Sequence, residues 1–191
     1  MTRQVSEICK SASYSLWKIG RIRQYLDKKS AEKLIHAFVT SKLDYCNSVL
    51  IGMPNVQLTR LQSIQNSAAR LVMRAQRHDH ITPILHDLHW LPVSQRITFK
   101  VLLIVFKALH GMAPAYISDL LTPYAPSRTL RSSQSNLLST PSFRTKFYGS
   151  RAFSVAAPSL WNALPASLRA APSLACFKTG LKTHLFNQHF I

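Results

Sequence analysis

Residues 80–111 read HITPILHDLHWLPVSQRITFKVLLIVFKALHG, and the second half of this stretch, Ser94 to His110, is the most apolar part of the chain. Pro92 and Ser94 supply a helix start, and Gly111 sits where a glycine closes a helix C-terminus. Val101 to Phe106 is apolar without a break, so the helix predicted here is buried on most sides rather than along one stripe. Arg96, Lys100 and Lys107 fall within about 40° of one another at roughly 100° per residue, which leaves one cationic edge open to water or to a ligand. Spanning a bilayer takes about 20 apolar residues, and Lys100 and Lys107 bracket a much shorter run. The stretch therefore reads as a central core helix and not as a membrane segment.

Working upstream, residues 4–26 place Val5, Ile8, Ala12, Leu16, Ile19, Ile22 and Leu26 at three- and four-residue steps, with Arg3, Lys10 and Arg21 on another face. Gly20 inside this pattern points to a close approach or a bend. Asp27 is placed to cap a second helix that carries Leu34, Ile35, Phe38, Val39, Tyr45, Cys46 and Val49 inward and ends at Gly52-Met53-Pro54. Asn55 is placed to cap a third, whose stripe is Leu58, Leu61, Ile64, Ala68, Leu71, Val72 and Ala75. Arg70, Arg74 and Arg77 share a different face over its last two turns, where they also complement the helix dipole. Three helices with short connections imply a small antiparallel bundle.

Downstream of the bundle, a short helix over Thr82 to Leu88 leads into the central one, and another runs from Ala113-Pro114 to near Leu121. From Thr122 to Arg144 the composition turns to Pro, Ser and Thr, an irregular segment with one short strand at Leu137-Leu138. Helical signals return from Ser150, as a cap, to Asn162, and again after Ser173, where Phe177, Leu181, Leu185 and Phe186 form the apolar face. The expected fold is predominantly all-α: a small antiparallel helical bundle plus a second helical segment with an irregular Pro/Ser-rich loop. Its expected parts are a three-helix bundle (1–77), the central helix with short neighbours (78–121) and a basic, acid-free segment (122–191).

Across the 191 residues, 24 Lys and Arg face 7 Asp and Glu, a formal charge of +17. That imbalance points to a polyanion, nucleic acid ahead of an anionic membrane surface. No carboxylate follows Asp119, so the last third repels itself unless anions screen it. Cys9, Cys46 and Cys176 form no CxxC pair, which suits reduced thiols in a nuclear or cytoplasmic protein rather than a secreted disulfide framework. The opening MTRQVSEICKSASYSLW lacks the continuous apolar core of a signal peptide.

The carboxylates are few and unpaired, and GxSxG, Walker, HExxH and Rossmann patterns are missing, all of which argues against catalysis by these residues. His78, His80, His86 and His89 cluster without the thiolate pair of a zinc site; they are expected as solvent or core polar groups, and neither metal nor cofactor is expected. Trp90 and Trp161, each close to a helix-stopping proline, are expected to anchor the core, with base stacking as the alternative. The strongest binding signal is the interleaving of Arg128, Arg131, Arg144, Lys146 and Arg151 with Phe143, Phe147, Tyr148 and Phe153. Such a mixture suits phosphate contact plus stacking, and equally a loop whose aromatics pack on the domain.

Six blocks, KSASYSLWKIGRIRQYL (10–26), AEKLIHAFVTSKLDYCNSVL (31–50), RLQSIQNSAARLV (60–72), HITPILHDLHWLPVSQRITFK (80–100), KALHGMAPAYISDLL (107–121) and RTKFYGSRAFSVAAPSLWNALPASLR (144–169), resemble the C-terminal part of LINE-type, jockey-like non-LTR retrotransposon reverse transcriptases. The resemblance runs in the same order over nearly the whole chain. It implies the thumb and the region after it, with the bundle gripping a template–primer duplex from its minor-groove side. The implied partners are RNA or RNA–DNA duplex, bound non-specifically through phosphates, and the palm domain of a parent polymerase. Because the palm and its catalytic aspartates would precede residue 1, no catalytic residue is carried over. The expectation is a non-catalytic fragment that looks like a truncated copy of a mobile element. Its nucleic-acid contacts would be Lys10, Arg21, Arg70, Arg74, Arg77, Arg128, Arg131, Arg144, Lys146 and Arg151. The competing expectations are a helical interaction module that self-associates through the face a palm would cover, and a translated relic without function. No membrane partner is expected.

Overall fold

The apolar spacing of the first residues closes into α1 (Thr2–Ile22), which buries Val5, Ala12, Leu16 and Ile19. This helix runs through Gly20 without a close approach: a Cβ there would meet only Leu71 Cδ1, at an ordinary 3.5 Å. Asp27 caps the next helix as expected, its Oδ1 accepting the Ser30 backbone N–H at 3.3 Å. Hydrogen bonding, from the Ser30 side chain foremost, holds the Asp27 carboxyl below the usual carboxylate range. The computed structural model describes residues 2–125, 136–145 and 148–190, and these are helical, with no strand among them.

α2 (Lys28–Ile35) continues through a π turn at His36–Thr40 into α3 (Ser41–Asp44). A π turn takes up an extra residue and rotates the chain beyond it. Ile35, Val39 and Leu43 are buried, while Phe38, Tyr45 and Val49 are more than half exposed and Cys46 is exposed. The expectation that these four face inward is thus corrected. The helix has already ended at Asp44, and Cys46 takes a left-handed φ of 50°.

α4 (Asn55–Met73) starts at its expected cap, one residue earlier than expected. Pro54, extended at ψ 141°, holds the N-cap position, so Asn55 is the first helical residue and caps nothing. The direction of the helices follows from their cross-links. Arg60 Nη2 of α4 donates to Ser6 Oγ of α1 at 3.1 Å near one end, and Arg23 Nε donates to the Leu71 carbonyl at 2.8 Å near the other. α1 and α4 are therefore parallel. The intervening α2–α3 runs back between them, with Lys42 Nζ donating to Ser11 Oγ at 2.7 Å and to Ser15 Oγ at 2.9 Å. The result is an up–down–up three-helix bundle.

α5 (Ile81–Asp87) buries Ile84 and Leu85, and α6 (Val93–Leu109) follows. The first N–H of α6, on Val93, donates to Gln62 Oε1 at 2.8 Å, and Gln65, almost fully buried, donates to the Leu91 carbonyl at 2.8 Å. Two α4 amides thus fix where α6 begins. It ends with Gly111 at φ 67°, its N–H donating to Ala108 and that of Met112 to Lys107 at 2.8 Å, the paired bonds that satisfy the last carbonyls of a helix. Val101, Leu102, Val105 and Phe106 are buried. Arg96 does not lie on an open cationic edge: its Nη1 reaches Asp44 Oδ2 at 2.6 Å and its Nε donates to the Leu91 carbonyl at 2.9 Å.

The chain divides into two compact units, Met1–Val49 with Met53–Ile97 and Phe190–Ile191, and Leu50–Gly52 with Thr98–His189. The division falls inside α6, whereas the sequence reading places its boundaries at 77/78 and 121/122. In the second unit come α7 (Ala115–Ser118), α8 (Phe153–Asn162), α9 (Ala166–Arg169) and α10 (Leu174–Phe190). Its core is an aromatic stack, Phe106 on Phe177 at 4.4 Å between ring centroids and Trp161 tilted against Phe177 at 5.8 Å. Ser173 Oγ accepts the Cys176 N–H at 3.2 Å at the start of α10. Ser150 does not cap α8; it lies in a 3-10 turn, and Ala152 holds the cap position. The strand expected at Leu137-Leu138 is reduced to a single antiparallel bridge between Pro123 and Leu138, flanked by the Tyr124 N–H on the Leu137 carbonyl at 2.9 Å and the Ser139 N–H on the Thr122 carbonyl at 2.8 Å, and the Asn162 side chain takes the N–H and carbonyl of Leu138 itself. Among the described residues no helix is long and apolar enough to cross a membrane.

Candidate nucleic-acid interface

In so basic a chain the first question is which cations the fold already uses. Arg23, just past α1, donates from Nε to Leu71 and from Nη2 to Val72, at 2.8 and 2.7 Å, on the last carbonyls of α4. Arg74, just past α4, returns the arrangement. Its Nη2 lies 3.3–3.4 Å from the carbonyls of Arg23, Gln24 and Leu26. The Arg23 guanidinium thus sits on the negative end of α4, and that of Arg74 on the 3-10 turn, Arg23–Tyr25, that follows α1. Burial, with Arg74 adding its repulsion, lowers the Arg23 pKa, and Asp27 opposes the shift.

The three arginines expected to act together on α4 are therefore not equivalent. Arg70 Nη2 donates to the Asp79 carbonyl at 3.1 Å while its Nε is buried without an acceptor. Arg74 sits on the turn after α1, in a left-handed conformation of φ 55°, and Arg77 is exposed. In the second unit, Arg151 is half-buried, donating from Nε to the Ile51 carbonyl at 3.1 Å. Arg144 is exposed, as are Phe143 and Tyr148. Arg128, Arg131, Lys146 and Phe147 lie outside the described residues.

The remaining two expected contacts, Lys10 and Arg21, stand on α1 with side chains that apolar spacing alone does not single out. Positions 10, 14, 17, 18 and 21 fall within about 100° on a helix. They carry Lys10, Tyr14, Trp17, Lys18 and Arg21, all exposed. Tyr14 is 57% and Trp17 58% exposed, unusual for residues of this size. Their rings stack with centroids 6.2 Å apart and 18° between planes. Lys18 Nζ lies 4.5 Å from the Tyr14 ring and the Arg21 guanidinium 5.3 Å from that of Trp17, within cation–π range. Glu7 is the lone carboxylate on α1, against Arg3, Lys10, Lys18 and Arg21. The signal is present in the sequence: the buried positions 12, 16 and 19 leave Trp17 about 100° off the apolar stripe.

The other two tryptophans are core residues, Trp90 at 4% and Trp161 at 0% exposure, so stacking on them is ruled out. Among the histidines, His36 packs on Trp90 at 5.3 Å and His86 faces Phe190 at 5.6 Å. No group of three His, Cys, Asp or Glu among the described residues is arranged to hold a metal ion.

What the α1 face can do chemically is limited and clear. It offers flat apolar faces for stacking and three cations, Lys10, Lys18 and Arg21, for phosphates. Comparison with known proteins finds no matching family model, no similar curated protein and no similar solved structure.

Proposed function

We propose that the chain is a non-catalytic nucleic-acid-binding element, of the kind its resemblance to the thumb and post-thumb region of a LINE-type reverse transcriptase implies. It holds RNA or RNA–DNA duplex through phosphates. The observation that carries this reading is the exposed row of Lys10, Tyr14, Trp17, Lys18 and Arg21 on α1. Exposed aromatics braced by cations are poor solubilising groups and good platforms for bases and sugars next to phosphates.

The test is fluorescence anisotropy with a labelled RNA–DNA duplex at several salt concentrations. Affinity should fall with salt by about 0.9 in log K per log salt for each phosphate neutralised. The double variant Lys10→Ala/Arg21→Ala should flatten that slope by roughly 2 and weaken binding to all sequences alike. Trp17→Ala should weaken binding to single-stranded RNA by about 1–3 kcal/mol. Binding indifferent to salt and to these substitutions would remove the proposal. A protein-interaction role is favoured by a different observation, the exposure of Phe38, Tyr45 and Val49. Sizing chromatography reads that alternative as oligomers that form without RNA.

A further inference from the structure

Away from α1, in the second unit, Arg169 is more than nine-tenths buried at the end of α9. Its Nη1 donates to the Asn162 carbonyl at 3.0 Å, and its Nε is buried with no acceptor. No carboxylate pairs with it among the described residues. The sequence of the unit supplies one carboxylate, Asp119, and residues 126–135 include none. A guanidinium cannot shed its proton, and an unpaired buried cation is among the costliest groups a fold can hold.

Arg169 lines a pocket of about 280 Å³. Several polar groups at its walls hold bonds within the fold. The Trp161 indole Nε1 donates to the Asn136 carbonyl at 2.7 Å. His110 Nδ1 lies 2.8 Å from the Phe106 carbonyl, an acceptor that fixes the proton on that nitrogen, and its ring stacks on Phe106 at 3.9 Å. Asn162 holds both backbone groups of Leu138, donating to its carbonyl at 2.8 Å and accepting its N–H at 2.9 Å. These bonds fix the walls and leave Arg169 with a donor that nothing fills. Leu109, Pro123 and Leu137 present apolar surface to the same space.

We infer that this pocket binds a monocarboxylate with an apolar body, its carboxylate on Arg169 and its hydrocarbon part against Leu109, Pro123 and Leu137. A guanidinium edge matches the two oxygens of a carboxylate. A phosphate would want several convergent donors, and apolar walls around one cation do not provide them.

The experiment titrates the full chain with phenylacetate, with its uncharged isostere phenylacetamide, and with inorganic phosphate, following the Trp161 indole N–H by NMR. Phenylacetate should shift that resonance saturably, at least about tenfold more tightly than the amide, as expected for a lost charge-assisted pair. Inorganic phosphate should not displace it. Arg169→Gln should erase the preference for acid over amide, and Arg169→Lys should keep part of it. If the Gln variant does not fold, the acid-against-amide comparison on the unaltered chain decides alone. Equal affinity for acid and amide, no saturable shift, or displacement by phosphate at equal affinity would each overturn the inference.

Discussion

Arg23 and Arg74 divide the work of two helix ends between them, and they show why counting cations overstates what a phosphate chain can reach. Both guanidinium groups lie on backbone carbonyls, and Arg96 lies on Asp44. None of this is legible in a sequence, because the partners are carbonyls 48 to 51 positions away or a lone carboxylate on another helix. Arg74 also carries a backbone cost, since a left-handed residue with a Cβ is disfavoured by about 1–2 kcal/mol. Replacing it by Ala removes only the side-chain bonds, while replacing it by Gly removes the bonds and relieves the backbone. Arg74→Gly should therefore be more stable than Arg74→Ala by about 1 kcal/mol, read from urea melts of the two variants. Equal melts would mean that the backbone carries no strain at this position.

At the scale of the element, helix existence is readable in the residues and helix phase is not. The three- and four-residue spacing locates α1, α4, α6 and α10, and the chemistry of Asp27, Ser173 and Gly111 marks ends that the structure bears out. The π turn at His36–Thr40 breaks the phase without any local signal: it is an accommodation to packing, and no proline or glycine announces it. That is why spacing alone puts Phe38 on the wrong face. The cap at the start of α2 has a pH dependence with a definite sign. The carboxyl of Asp27 is held below its ordinary value, so its contribution to stability is full above the unfolded carboxyl pKa, about 3.9. That contribution is lost as pH falls through the lower folded value. Asn also caps well but does not titrate. Melting temperatures of the unaltered chain and of Asp27→Asn should therefore diverge in pH dependence below about pH 4, the unaltered chain losing more. Parallel curves would show that the cap is not ionised.

For the whole molecule, the helical class and the up–down–up bundle follow from short connections and apolar spacing. The division inside α6 does not, since one uninterrupted helix offers no boundary signal in its residues. The exposed row on α1 is legible in its spacing, since its cations and its aromatics both lie off the apolar stripe, but large rings are ordinarily counted as core and so pass unread. A formal charge of +17 with no carboxylate after Asp119 sets a property of the molecule as a body. Self-repulsion should be relieved by ions, so raising NaCl from about 20 to 300 mM should raise the melting temperature, by roughly 2–4 °C for each kcal/mol of repulsion removed. A melting temperature flat in salt would mean that the charges are already compensated within the fold. The exchange between Arg23 and Arg74 also sets an order of events during synthesis. The carbonyls beyond α1 wait for a side chain 51 positions later, and those of α4 are met by one made long before. A nascent chain that has not reached Arg74 therefore holds the turn after its first helix by local bonds alone, the Leu26 N–H on the Arg23 carbonyl and Arg23 Nη1 on that of Leu26, and the long-range clasp on that turn arrives only with Arg74.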